Sequence, residues 1–559
     1  MEELDTLMLA LTNMGGVAPK LTPTLLPDTA AQVATNVVLH NGGVRALKSP
    51  QTVVTPTKSA PFRTIFRYGN VPGETQYWLT WPNPVHVARG PVPGDTEEKI
   101  YFTGDGSPKK TCFSLALQGG TSYPMAAFEM GVPPPVTAPL LQNVFGTGPA
   151  TEETRVYVYT HVSVWGEESS PSPPASGIVK ADSILRVHGF STPPSGALHL
   201  VARRIYRTVT ASSGVNYYFV AEIPVSASEF VDNVSTSAVG EPLPSLDWDL
   251  PPTDLSGLIA LPSGALCGFS GKQVCFSVVG APYAWPQKYR LTGDYEIVAL
   301  APMGQNVVVL TQGYPYVINA GDPEASQMAK VDEEQACISA RSVVPFRGGV
   351  LYASPDGLVH ITPSGVSVLT KNIIDREGWQ ALSPQGLFAA RFDGRYYGFL
   401  SSGGFVLDES GNFTWHDVRA DAAWQDPMSG QLYVSTGQFI QKWDAASEKT
   451  ATWRSKRFLL ARPENFAAAQ LKANSYGDLS FRLRAVMDSE AQALAVAQAS
   501  RGLLQAEQNV LTYQTRVLSD NPFRLPGGFM SKCYEIEIVG KDHWTACFVA
   551  GSMEELSRV

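Results

Sequence analysis

Glycine and proline divide this chain into short apolar segments, and this feature constrains its fold more than any other. The 559 residues include 49 glycines and 42 prolines, and both residue types favour chain reversals over long regular elements. Apolar segments such as residues 273–278 and 306–311 lie between such turns. Because 44% of the residues are hydrophobic and 17% are charged, these segments can build a packed core. The pattern predicts a mainly β fold with short strands and few helices.

The net charge argues against tight binding of nucleic acid. The formal net charge is −9, so composition does not provide a basic clamp for phosphates. The start, residues 1–5, is acidic where a signal peptide is basic, and no apolar run approaches the roughly 18–20 residues that span a bilayer. The six cysteines are scattered without a CxxC pair, which predicts reduced core thiols.

Two proline-rich stretches predict the domain boundaries. Residues 131–135 and 241–252 read as linkers, since clustered prolines disfavour regular ladders. Five regions are predicted: 1–48, an N-terminal segment with a short helix; 49–132, β-rich and part of the core; 133–245, an inserted β-sandwich; 246–450, a β-propeller-like region; and 451–559, a C-terminal β region with an inserted helix at about 488–509.

The inserted β-sandwich is predicted from one long strand. Residues 155–165 alternate strictly, with Val156, Val158, Val162 and Val164 on one face, which indicates a half-buried strand. The segment 165–171 that follows it, and Ile205-Tyr206-Arg207 further on, resemble the strand and loop signatures of fibronectin type III modules. Further short strands at regular spacing over about 100 residues are typical of such a sandwich.

Repeated hairpins predict the propeller-like core. Residues 355–361 and 410–415 each place a glycine-centred turn before an aromatic or aliphatic strand, as propeller blades do. Two helices are expected outside this pattern. Residues 29–39 show helical apolar spacing behind Asp28 as a cap, and residues 488–509 are rich in Ala, Gln, Leu and Glu, which predicts about five helical turns.

Common signatures of enzymes and cofactor sites are absent from the sequence. There is no GxGxxG after a strand, no Walker loop, no HExxH and no GxSxG elbow. The eight histidines have no close ligand spacing, and His161 and His416 are interpreted as satisfied or surface imidazoles. The sequence therefore predicts no cofactor and no metal site.

Three charged clusters are candidates for function. Asp247 and Asp249 flank Trp248, and two carboxylates are the groups that hydrolyse glycosides; an acidic linker is the favoured interpretation. Arg203, Arg204 and Arg207 form a small basic cluster that we interpret as a solvated face. A third candidate is a hairpin-tip contact loop with two exposed lysines, made of Gly104, Asp105, Gly106, Lys109 and Lys110.

Several motifs resemble one family of bacteriophage proteins. They are residues 16–36 with Gly43 and 45–47, the Thr-Gly-Asp-Gly-x-Pro-Lys turn at 103–109, the Trp-x-Ser-Lys-Arg-Phe segment at 453–458, and the ending at 539–556. Together they resemble the tail nozzle family, also called tail tubular protein B, of short-tailed bacteriophages. The anchors cover both ends of the chain and part of the middle.

The resemblance implies a structural virion protein of the short tail, made in the bacterial cytoplasm. Six copies would form a ring below the tail adaptor, with a β-propeller and inserted β domains, and no catalysis is implied. The partners would be further copies of the chain, the adaptor, tail fibres or host-recognition proteins, the host envelope at the tail tip, and double-stranded DNA in transit. An acidic wall would repel the DNA phosphates. We expect the N-terminal segment and the sandwich at subunit or adaptor contacts.

Other readings remain open at this point. A tail hub or receptor-binding component is the first alternative, because fibronectin-like modules and propellers also mediate adhesion. A propeller glycosidase that acts on envelope polysaccharide through Asp247 or Asp249 is the second. A cellular scaffold propeller is the third.

Overall fold

The computed structural model describes residues 8–68, 73–145, 151–181, 183–194, 200–209 and 216–557. The fold is mainly β with propeller-like sheets, as the sequence predicts, and none of the described helices exceeds ten residues. No helix in these ranges is long and apolar enough to cross a membrane. The chain forms two compact units. Unit 1 comprises Met1–Ile65, Glu74–Gln76 and Gln335–Val559, and unit 2 comprises Phe66–Gly73 and Tyr77–Glu334.

The N-terminal segment consists of strands, so the helix predicted over residues 29–39 is wrong. The strands are β1 (Met8–Leu11), β2 (Ala31–Thr35), β3 (Val37–His40), β4 (Gly43–Ala46) and β5 (Gln51–Val54). Asn36 has a φ of 57° and separates β2 from β3, and a left-handed residue cannot continue an α-helix. The two valines after it are β-branched and favour the extended chain.

Small sheets come next along the chain. Their elements are β6 (Thr64–Arg67), β7 (Trp78–Trp81), β8 (His86–Arg89), β9 (Ile100–Thr103), β10 (Lys109–Thr111), α1 (Phe113–Leu117) and β11 (Phe128–Glu129). Strands β8 to β11 form one antiparallel sheet in the order β11-β10-β9-β8. The tight turn between β9 and β10 carries the candidate contact loop.

The next region is a two-sheet sandwich, as the sequence predicts. Its strands are β12 (Leu140–Phe145), β13 (Glu152–Ser163), β14 (Ala175–Lys180), β15 (Ile184–His188), β16 (Leu200–Thr208), β17 (Tyr217–Pro224) and β18 (Glu229–Asp232). One sheet has the order β12-β15-β18 and the other β14-β13-β16-β17. The half-buried strand predicted from the valines of β13 is wrong, because Val158 and Val162 on one face and Tyr157 and Tyr159 on the other are all buried. The tyrosines form the core between the two sheets, where they pack with Leu185, Val187 and Ile205.

Two four-stranded antiparallel sheets complete unit 2. They are β19 (Ser256–Ala260), β20 (Leu266–Ser270), β21 (Gln273–Phe276) and β22 (Leu291–Thr292), then β23 (Ile297–Met303), β24 (Asn306–Thr311), β25 (Tyr316–Asn319) and β26 (Met328–Lys330). In each sheet the strands pair in chain order, which is the arrangement of propeller blades. Val307, Val309 and Ile318 lie in their shared apolar core.

Unit 1 contains two further four-stranded sheets and, between them in the chain, four consecutive antiparallel strands of an eleven-stranded sheet. Their elements are β27 (Val344–Phe346), β28 (Gly349–Ser354), β29 (Gly357–Thr362), β30 (Gly365–Val368), α2 (Arg376–Ala381), β31 (Phe388–Phe392), β32 (Arg395–Leu400), β33 (Gly403–Leu407), β34 (Phe413–His416), β35 (Ala422–Gln425), β36 (Leu432–Thr436) and β37 (Phe439–Lys442). The last sheet, β35-β36-β37, takes β5 from the N-terminal segment as its fourth strand.

The C-terminal region contains a long mixed sheet and two short helices. Its elements are β38 (Ala451–Ser455), β39 (Phe458–Glu464), β40 (Ala468–Ala473), β41 (Leu479–Val486), α3 (Glu490–Ala499), β42 (Leu504–Glu507), β43 (Val510–Arg516), β44 (Phe523–Arg524), β45 (Ser531–Gly540), β46 (Trp544–Ala550) and α4 (Met553–Leu556). The five-turn helix predicted over 488–509 is too long, because Arg501 and Gly502 have positive φ angles of 52° and 89°. The chain then turns into the β42–β43 hairpin.

One of the buried histidines of unit 1, His416, is surrounded by aromatic rings. His416 is 3% exposed, and its ring lies 5.4 Å from that of Phe399 and 5.7 Å from that of Trp443. A Cβ on Gly404 would lie 2.6 Å from the imidazole, so glycine is required there for this close approach. Burial lowers the pKa of His416 to about 4. The imidazole is therefore neutral in the folded chain at neutral pH.

We expect the stability of unit 1 to fall as the pH drops from about 6.5 to 4. In that window the unfolded chain binds a proton at His416 that the folded chain excludes, which costs up to about 3 kcal/mol of unfolding free energy. Replacing His416→Leu should flatten this dependence, measured by urea unfolding at pH 7 and pH 4.5. Exposed His40→Gln is the control. An equally steep pH dependence in His416→Leu would contradict the assignment.

Candidate functional sites

The predicted hairpin-tip loop lies between β9 and β10. Gly104 has a φ of +101°, and a Cβ there would lie 2.3 Å from the carbonyl oxygen of Pro84, so only glycine fits. Gly106 also has a positive φ, of 80°. Lys109 Nζ lies 3.2 Å from the Asp105 carboxylate. A surface ion pair between Asp105 and Lys109 thus links the two sides of the tip.

Lys110 is buried, so the prediction of two exposed lysines is wrong for this residue. Its side chain is 1% exposed, and its ammonium pairs with the Glu167 carboxylate of the sandwich. Nζ also lies 5.2 Å from the centre of the Trp165 ring. Burial lowers the pKa of Lys110, and the Glu167 charge opposes this shift. Lys110 therefore binds the hairpin to the sandwich within unit 2 and is unavailable to an external partner.

We expect the Lys110–Glu167 pair to show strong coupling. Glu167→Leu leaves a buried ammonium without its partner, which should cost about 3–5 kcal/mol, whereas Lys110→Met with Glu167→Leu removes both charges and should recover most of this loss. Urea unfolding followed by tryptophan fluorescence measures the difference. Lys109→Met, which removes a surface pair, should cost less than about 1 kcal/mol. Equal destabilisation in the single and double variants would refute the coupling.

The arginine cluster of β16 is internal, so its interpretation as a solvated face is wrong. Arg203 is 4% exposed and donates hydrogen bonds to the carbonyl oxygens of Ser191 and Ala227, both at 3.0 Å. Arg207 is 1% exposed, and its Nε lies 3.0 Å from the buried Asp232 carboxylate. Arg204 alone reaches the surface, where it pairs with two glutamates. The cluster stabilises the sandwich and its loops.

Asp247 and Asp249 take part in surface contacts of a loop. The Asp247 carboxylate lies 3.2 Å from Lys288 Nζ, and the Asp249 carboxylate accepts a hydrogen bond from the backbone N–H of Gln287 at 3.1 Å. The two carboxylates therefore tie one loop to the next 3₁₀ turn. These contacts agree with the favoured interpretation of an acidic connecting segment.

The cysteines match the prediction of reduced core thiols. All six are free, and all but Cys533 are buried. Across the described ranges, no group of three or more His, Cys, Asp or Glu side chains is placed to hold a metal ion.

A charged face on the long sheet of unit 1 was not predicted from the sequence. This arginine–glutamate face lies on neighbouring strands β38, β45 and β41 and the turn after β38, and it consists of Arg454, Arg457, Arg482, Arg484, Glu535 and Glu537. Glu537 is opposite both Arg454 and Arg482 in the strand register. Its two oxygens lie 2.9 Å and 2.6 Å from these guanidinium groups.

The face carries an excess of positive charge. Its second carboxylate, on Glu535, lies 2.7 Å from Arg457 Nη2 and 3.3 Å from Arg484 Nε. The glutamate side chains are at most 5% exposed, whereas those of the arginines are 21–33% exposed. Four cations over two buried anions leave a formal charge of about +2 at the surface of an acidic chain. Such a face can bind an acidic protein surface.

A period-two pattern in the sequence carries part of this signal. Arg482 and Arg484 flank Leu483, and Glu535 and Glu537 flank Ile536, so each pair shares one strand face. Arg482 and Glu537 are 55 positions apart in the chain. Their pairing depends on strand order, which the local pattern does not contain.

Comparison with known proteins gives distant structural neighbours. No family model and no curated protein matches the chain. Among solved structures, the gluconolactonase XC5397 from Xanthomonas campestris shares 11% identity at a TM-score of 0.23, over 43% of this chain and 81% of that chain. Hsv2 from Kluyvelomyces marxianus shares 11% at 0.20, over 48% and 71%. AztD from Citrobacter koseri shares 13% at 0.24, over 54% and 79%.

These neighbours require one correction. The first is named as an enzyme, and this overturns the expectation that the present chain is not an enzyme, so that expectation is withdrawn. At these TM-scores the likeness supplies no reaction, substrate or catalytic residue for this chain. The resemblance to phage tail proteins is untouched by the comparisons and stays a prediction.

Proposed function

We propose that this chain is a subunit of the nozzle ring at the end of a short bacteriophage tail. In this proposal six copies surround a channel through which the genome leaves, below the tail adaptor. The support is the sequence resemblance together with a mainly β, propeller-like fold that carries an inserted sandwich. Loops that narrow the channel would hold it closed until host contact changes their arrangement.

The observation that carries the proposal is the meeting of two segments that resemble the nozzle family. Strand β2, from the N-terminal motif, pairs antiparallel with β38, which lies in the Trp453–Phe458 motif, and Ala34 is opposite Trp453. Lys456 Nζ lies 2.9 Å from the Asp28 carboxylate. The two motifs are more than 400 positions apart in the chain and form one local structure. If the two segments resembled the family only by chance, we would not expect them to pair with each other in the fold.

The arginine–glutamate face is the surface that we propose for contact between neighbouring subunits. A ring of identical chains uses two different surfaces of each subunit, one complementary to the other. The formal charge of the chain is −9, so a positive face has acidic surface on a second copy as its complement. Opposite charges on the two surfaces would set the register of the ring and suppress wrong contacts.

The location and the mass of the chain in virions test the function itself. Gold-labelled antibody against this chain should mark the distal tail axis, and the labelled tail complex should contain six copies by mass measurement. Label on lateral fibres would favour adhesion through a receptor-binding component. Absence of the chain from particles would overturn the proposal.

Neutralising the face should weaken the ring and leave the subunit folded. In Arg482→Gln with Arg484→Gln, Glu537 keeps Arg454 and Glu535 keeps Arg457, so each buried carboxylate retains a cation. We expect a subunit Kd about tenfold higher, so that on dilution the ring dissociates at a roughly tenfold higher protein concentration, since charged interface contacts contribute about 1.4 kcal/mol or more. Mass photometry over a dilution series measures the shift.

The control for this experiment is Arg462→Gln. Arg462 is 75% exposed and pairs with Glu464 rather than with a glutamate of the face, so its replacement should leave the ring mass unchanged. Rings of equal strength in the double variant and the control would show that subunits meet elsewhere, without bearing on the position of the chain in the virion.

A further inference from the structure

A cleft of about 530 Å³ in unit 1 collects three arginines. Arg341 comes from the 3₁₀ turn Ala340–Ser342, Arg419 from the loop before β35, and Arg63 from the chain before β6. The cleft lies beside β31 and β32, whose cross-strand partners Phe388 and Phe399 line it. It is separate from the arginine–glutamate face in its residues and elements.

Arg341 is held in a fixed position at the cleft. Its guanidinium carbon lies 4.5 Å from the centre of the Phe388 ring, and this ring stacks on Phe399 with centroids 4.8 Å apart. Nη2 donates to the backbone carbonyl oxygens of Asp421 and Arg63. Nε and Nη1 have no hydrogen-bond partner in the part of the chain that the structure describes. The side chain is therefore anchored at one edge and has donors left for a ligand.

The positive charge in the cleft is not balanced by an ion pair. Among the described residues, no carboxylate oxygen lies within 4.0 Å of a side-chain nitrogen of Arg63, Arg341 or Arg419. Asp421 is the acidic residue of the lining, and its carboxylate accepts a hydrogen bond from the backbone N–H of Gly437 at 3.0 Å. Burial, and next the charge of Arg63, lower the pKa of Arg341 to about 10, although the charge of Asp421 opposes this shift, so Arg341 remains a cation at neutral pH.

We propose that this cleft binds the phosphate group of a small sugar phosphate. Guanidinium groups bind phosphate oxygens through paired, charge-assisted hydrogen bonds, and three arginines line this cleft beside a single carboxylate, that of Asp421. The volume lies within the range of small-molecule pockets, roughly 300–1,000 Å³, and exceeds what a phosphate alone requires. Ser383, Gln385 and Ser401 add hydroxyl and amide groups to the lining, which suits a polyhydroxylated ring. The inference does not depend on the proposed nozzle function.

Calorimetric titration of the full chain tests the site with four probes. They are glucose 6-phosphate, glucose, inorganic phosphate and thymidine monophosphate. We expect glucose 6-phosphate to bind most tightly, inorganic phosphate more weakly, and glucose not at all. Inorganic phosphate that binds as tightly as the sugar phosphate, or thymidine monophosphate that binds more tightly, would overturn the assignment to a sugar phosphate. No binding of any phosphate at millimolar concentration would overturn the site.

Two exposed arginines provide the variants. Arg63→Gln and Arg419→Gln remove cleft charges without removing an internal side-chain hydrogen bond among the described residues, and each should weaken glucose 6-phosphate binding about tenfold. Arg341→Gln should weaken it at least as much, with thermal melting as the check on folding. The matched control is Arg347→Gln, an exposed arginine in the β27–β28 turn, which should bind as the unmodified chain does. Equal affinity in all four variants would refute the proposal.

Discussion

Unit 1 depends on the pairing of its N-terminal strands with strands from the far end of the chain. Strand β2 pairs with β38 on one side and, at Thr35 and Trp415, with β34 on the other. It thereby joins the propeller-like sheet β31–β34 to the C-terminal sheet. Strand β1 pairs with β46, and β5 completes the sheet of β35 to β37. Without these strands, several sheets would present unpaired N–H and C=O groups at open edges.

Positively charged side chains occupy two different environments in this molecule. Inside unit 2, cations such as Lys110 and Arg207 are buried with one carboxylate each, and such pairs specify how loops and sheets fit together while contributing little net stability. On unit 1, the arginines of the long sheet and of the cleft outnumber the acids beside them. The excess positive charge thus lies where a partner or ligand can approach, on a chain whose total charge is negative.

The sequence predicts the fold class and the hairpins well because strand alternation and glycine turns are local signals. It fails where distant residues decide the outcome. Residues 29–39 have apolar spacing that suits a helix, but Val33 pairs with β38, more than 400 positions away, and Val37 and Val38 pair with the adjacent strand β4. The prediction for β13 rests on its alternating valines, whereas the second sheet of the sandwich packs against its tyrosines. Lys110 was predicted to be exposed because its partner, Glu167, lies 57 positions away, where a local pattern does not show it. The arginine cleft combines three loops, none of which carries a signal alone.

The order of the two units along the chain has a consequence for synthesis. Every residue of unit 2 precedes position 335, whereas β1, β2 and β5 of unit 1 find their partners only beyond position 412. At the usual rate of translation, about 5–20 residues per second, unit 2 is complete on the ribosome roughly 10–45 s before the last strand, β46, emerges. During that interval the first strands of the nascent chain have exposed edges and depend on chaperones or on rapid elongation to avoid pairing with a neighbouring polypeptide.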